Sequence, residues 1–76
     1  MDKNEAIAAI QTELGRAQAK HAPMHSVHEG YATILEELDE LWEEVKKKPK
    51  NRSIEQLRNE AIQVGAMALR FVVDLT

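Results

Sequence analysis

The chain has 76 residues, a formal net charge of −3 and no cysteine, which fits one small domain over 1–76 with neither a disulfide nor a thiol-bound metal. The acidic balance and a single Trp, Tyr and Phe argue against nucleic acid as a partner, which would want a basic face and aromatic platforms for bases. No run approaches the roughly 18 apolar residues of a membrane span, and the N-terminus lacks a signal-peptide core, so a cytoplasmic chain without a membrane partner is expected.

Three helices fit the pattern, and no segment reads as a strand. Asp2 and Glu5 stand at capping-box spacing, so the first helix is predicted to start after Asp2. Ile7, Ile10, Leu14 and Ala17 trace its apolar side, and His21-Ala22-Pro23 ends it near Lys20. His21, His25 and His28 cluster in and after the first loop. Pro23 prevents all three from sharing a helix, so they are expected near a pocket mouth. There His28 is either a nucleotide contact or an exposed residue of the capping turn.

Ser26 and Glu29 form a second capping box and open the second helix. Its apolar residues Tyr31, Ile34, Leu35, Leu38, Leu41, Trp42 and Val45 recur at steps of three and four. Core packing is the simplest role for Trp42, and stacking on a base is the other. Glu36-Glu37-Leu38-Asp39-Glu40 lies within this stripe. At about 100° per residue, Glu37 and Glu40 sit on adjacent turns roughly 60° apart. Such a pair can share a hard divalent cation, whose other positions are filled by phosphates and water. The plain alternative is a solvated outer face. Asp39, Glu43 and Glu44 are assigned to solvent, where like-charged steps of four strain the helix unless cations are near. Lys46-Lys47-Lys48 suit the C-terminal dipole, and Pro49 ends the helix.

Ser53 and Gln56 cap the third helix. Glu60, Gln63, Met67, Arg70 and Asp74 fall on one narrow face, and the rest of the girth is apolar. A helix of that kind needs burial on several sides. Two neighbours from one chain do not suffice, so a homodimer or homotetramer is expected, with the third helix central. Gly65, Ala66 and Ala68 would admit a close partner helix. The fold class that follows is all-α, three amphipathic helices assembling into a multi-helix bundle by oligomerisation. Arg58 and Arg70 are phosphate candidates if they face the groove between the second and third helices, where Glu37, Glu40 and Glu60 would converge, although Arg70 can instead pair with Asp74 one turn on.

The pairing of Glu37-x-x-Glu40 with a later helical Glu60 across a short basic loop resembles the MazG-like, all-α nucleoside triphosphate pyrophosphohydrolases. The resemblance runs from about His21 to Leu75. It is carried by His28-Glu29-Gly30-Tyr31, by Glu36 to Trp42 and by Leu57 to Arg70. It implies Mg²⁺ (Mn²⁺ as a substitute) held by an E-x-x-E pair and a second, E-x-x-D pair. The implied reaction is hydrolysis of a ribo- or deoxyribonucleoside triphosphate to the monophosphate and pyrophosphate. Matched by position, the metal residues are Glu37, Glu40, Glu60 and Gln63. Gln63 stands where the family has Asp, so a neutral amide oxygen replaces a charge. A carboxylate not fully engaged with metal, Glu36 or Glu40, would accept the proton of the attacking water. The family commonly uses four helices per site, so a second subunit is expected to complete it. Two alternatives stand beside the enzyme on the same fold: a nucleotide- or metal-binding protein without turnover, and a purely structural helical module.

Overall fold

All three predicted starts carry their caps in the computed structural model, which describes residues 1–76. The elements are α1 (Lys3–Lys20), α2 (Val27–Val45), a 3₁₀ turn at Pro49–Asn51, and α3 (Ile54–Leu75). The Asp2 carboxylate accepts from the Glu5 N–H at 2.8 Å, and Ser53 Oγ accepts from the Gln56 N–H at 3.2 Å. At α2, Ser26 Oγ accepts from the Glu29 N–H at 3.1 Å, while Glu29 Oε2 accepts from the His25 N–H at 2.7 Å. The reciprocal arm of this box therefore reaches one residue behind the cap and fixes the loop as well as the helix end. No helix is long and apolar enough to cross a membrane.

The central helix is α3. Both α1 and α2 pack on it, and they do not pack on one another. The result is an open wedge of 40 × 27 × 19 Å, with a groove between α1 and α2 floored by α3. The core is small. Met24, Ala66 and Met67 are its buried apolar residues, with Ile10, Ala17, Ile34, Phe71 and Leu75 packed around them. The narrow polar face of α3 points into this wedge, and its apolar flanks at Ile54, Val72 and Val73 lie exposed.

Arg70 fastens the wedge. It is only 7% exposed. Its Nη2 donates to the Ala22 carbonyl at 2.6 Å, and its Nε lies 3.4 Å from Asp74 Oδ2. That same Asp74 oxygen accepts from the Met24 N–H at 3.0 Å. One buried ion pair thus ties the α1–α2 loop to the last turns of α3, and every partner is hydrogen-bonded as a buried charge requires.

Two close approaches set the helix spacing. A Cβ on Gly30 would lie 2.5 Å from Phe71 Cδ2 and 2.8 Å from Leu75 Cδ1. A Cβ on Gly65 would lie 3.0 Å from Ile10 Cδ1. The small residues Gly65 and Ala66 are therefore used inside the chain, against α1 and the core, and not by a partner helix as expected from the sequence. Ala68 alone of that trio stays exposed. Gly30→Ala is expected to lower stability by about 1 kcal/mol net, because overpacking costs about 1–3 kcal/mol and the helix-propensity gain returns about 1 kcal/mol. Urea unfolding reads this directly, and unchanged or higher stability would show that Phe71 yields freely.

Trp42 is not in the chain's core. It is 57% exposed, and Tyr31, Leu35, Leu38 and Val45 of the same stripe are exposed with it. Only Ile34 and Leu41 of the seven stripe residues turn partly inward. Hydrophobic periodicity located the stripe; which edge of it meets α3 is decided by the close contact at Gly30.

Candidate metal centre

Glu37 and Glu40 project from successive turns of α2, and Glu60 comes from the second turn of α3. One carboxylate oxygen from each lies within 4.8 Å of the others. The antiparallel run of α2 and α3, joined by the short basic loop, brings the three together as the sequence expects. Glu37 and Glu60 are half-buried and Glu40 is exposed. Glu60 Oε2 is enclosed and has no hydrogen-bond partner. An orphaned anionic oxygen beside two other carboxylates is costly unless a proton or a cation joins it.

The electrostatics agree with the geometry. The Glu37 carboxyl is pushed up from its ordinary 4.5 to about 7, first by burial, then by the charge and contact of Glu40, with smaller contributions from Glu60 and Glu36. The Glu60 carboxyl is also raised, first by burial, then by Glu40 and Glu44. Glu40 is the neighbour common to both. Three hard oxygen donors with mutual repulsion fit Mg²⁺ or Mn²⁺, and the absence of any nitrogen or sulfur donor disfavours zinc.

Beside the cluster runs the α1–α2 groove, about 540 Å³ in volume. Glu37 belongs to both the cluster and the groove. Glu36 and Gln63 also line it, so the groove joins a proposed base and the amide that stands in the family's acid position. The groove is also lined by Glu13, Arg16 and Lys20 from α1 and by His21 and His25 from the loop. Arg16 also lies 3.6 Å from Glu13 on its own helix.

The three sequence-predicted substrate residues, His28, Arg58 and Arg70, occupy three different settings. His28 lines a separate apolar hollow with Val27, Tyr31, Ile34, Ala68 and Phe71, away from the groove; His21 and His25 are the histidines that line it. Arg58 is exposed and lines neither hollow. Arg70 lines the groove, but its guanidinium is committed to Ala22 and Asp74. The α1 lining of the groove is what sequence reasoning missed. Its one signal is the step of Glu13, Arg16 and Lys20 by three and four along a single helix face. At the C-terminal end of α2, Lys46 pairs with Glu43 at 3.0 Å and Lys47 with Glu44 at 2.9 Å.

No described protein family, curated protein or solved structure matches this chain.

Proposed function

We propose that this protein is a MazG-like pyrophosphohydrolase that hydrolyses a nucleoside or deoxynucleoside triphosphate at the α–β linkage with Mg²⁺ or Mn²⁺, acting in the cytoplasm as a homo-oligomer. The observation that carries this reading is the convergence of Glu37, Glu40 and Glu60, with the orphaned Glu60 oxygen among them. Glu37, Glu40 and Glu60 would supply charged ligand oxygens, and Gln63 a neutral one. A bound divalent cation would supply charge neutralisation on the triphosphate and acidify a nearby water. Lys20, His21 and His25 line the same groove as Glu36 and Glu37 and would suit the phosphate oxygens. Glu36, exposed at the groove edge, accepts the proton as the water oxygen bonds to phosphorus and the bridging P–O bond breaks. Pyrophosphate and the monophosphate leave.

A panel of ribo- and deoxyribonucleoside triphosphates, with products identified by ³¹P NMR, tests the reading. Metal-dependent appearance of monophosphate and pyrophosphate is expected for at least one member. Nucleoside diphosphate with inorganic phosphate, or no product from folded protein, would overturn it.

Gln63 favours one second reading. With an amide in place of the family's acid, the site carries one negative charge fewer, and a protein that holds nucleotide and metal without turnover fits the same geometry. Stabilisation by Mg²⁺ and triphosphate without product is the signature of that case.

A further inference from the structure

Tyr31, Leu35, Leu38, Trp42 and Val45 are spaced four, three, four and three along α2 and are all exposed, Tyr31 by 65%, Trp42 by 57% and Leu38 by 48%. Alternating steps of four and three are the seam of a two-helix coiled coil, with Leu35 and Trp42 at one core position and Tyr31, Leu38 and Val45 at the other. In this chain most of the seam is open to solvent, and Tyr31 borders α3 at the hollow it shares with Ala68 and Phe71. Its inner edge, Ile34 and Leu41, already packs toward α3, so α2 is apolar on two sides and only one is served.

We propose that this seam is the self-association surface, and that it pairs with the same seam of a second copy running antiparallel. The proposal rests on the homo-oligomer part of the functional reading and adds its face and orientation. Covering five such side chains on each copy removes on the order of 1,000 Å² from water, the lower bound for a specific interface. The seam reads the same on both copies, as a two-fold contact demands.

Charge sets the direction. The body of α2 is acidic from Glu29 to Glu44, and its C-terminal end is basic from Lys46 to Arg52. A parallel pair lays acid on acid along its whole length. An antiparallel pair in the register below staggers most of these acids, setting Asp39, Glu40 and Glu43 level with Ile34, Thr33 and Gly30 of the other copy and Lys46 beside Val27, within a turn of Glu29. The two helix dipoles also favour opposition. Antiparallel core layers join the two different seam positions, so Trp42 meets Tyr31 of the second copy and Leu38 meets Leu35. The hollow that Tyr31 shares with Ile34, Ala68 and Phe71 then lies beside an incoming indole, an apolar pocket next to a large aromatic anchor.

The chain has no cysteine, which makes disulfide trapping unambiguous. Tyr31→Cys and Trp42→Cys proteins, mixed and oxidised, are expected to cross-link to each other, and neither is expected to cross-link to itself, because self-pairing would need Cα atoms within about 7 Å. Light scattering of the wild type should give at least twice the chain mass. Leu38→Lys should return it to one chain mass with helical circular dichroism retained, since Leu38 contributes an exposed side chain to the isolated fold. A monomeric wild type overturns both the self-association reading and this interface. An oligomer in which Tyr31→Cys links to itself, or which survives Leu38→Lys, overturns the interface alone. Hydrolysis is not part of the readout, so failure of the catalytic reading stays separate.

Discussion

Glu40→Gln is expected to lower metal-dependent pyrophosphate release at least a hundredfold while raising stability in chelator. Loss of a residue that merely supports a metal ligand costs about 10–100-fold, so loss of a ligand belongs at or beyond the upper end. The opposite sign on stability follows from the same carboxylate. Glu40 raises the proton affinity of both Glu37 and Glu60, so neutralising it removes repulsion that the cation-free fold endures. Because the Glu37 carboxyl moves from 4.5 to about 7 on folding, between those values the folded chain holds a proton that the unfolded chain has released. Stability in chelator is therefore full below about pH 4.5 and declines as pH rises to about 7. Saturating Mn²⁺ should reverse the decline in the wild type, most strongly at neutral pH, because the cation binds the ionised acids. Thermal melts across pH, with chelator and with Mn²⁺, read both effects. A wild type whose melting temperature rises from pH 5 to pH 7 in chelator would refute the electrostatic account of the cluster.

Arg70→Ala is expected to be the most damaging single change to the fold. It leaves the buried Asp74 carboxylate without its cation and the Ala22 carbonyl without its donor. Breaking one side of a buried pair costs about 3–5 kcal/mol. Small domains have about 5–15 kcal/mol in all, and this chain, with three buried apolar residues in its core, belongs at the lower end. Loss of cooperative urea unfolding, or a large drop in its midpoint, is expected. Arg70→Lys keeps the charge but cannot span Ala22 and Asp74 together, so an intermediate loss follows. A near-neutral Arg70→Ala would mean that Met24 packing and its N–H bond to Asp74 suffice to hold the loop.

The legible parts of this protein are local or periodic. Asp2, Ser26 and Ser53 marked the helix starts because a capping oxygen and its N–H are three residues apart. The acid cluster was legible because Glu37 and Glu40 share a helix face and Glu60 falls in the second turn of the next helix after a short loop. What escaped depends on which way faces turn. The third helix is apolar over most of its girth, so periodicity favours no direction, and its polar strip went inward because Arg70 finds Ala22 at a sequence distance of 48 residues. The stripe of α2 was visible, but its division into an inner edge and an exposed seam follows from Gly30 meeting Phe71. The α1 lining of the groove carries no motif; Lys20 and His21 reach the groove because the loop folds α1 against α3.

Binding of Mn²⁺, followed by loss of the free-ion electron paramagnetic resonance signal, tests the central claim most directly. Wild-type protein is expected to take up Mn²⁺ saturably, more tightly with a non-hydrolysable triphosphate present, and Glu40→Gln is expected to lose that uptake. No uptake by folded wild type, or equal uptake by both proteins, would contradict a metal centre at Glu37, Glu40 and Glu60.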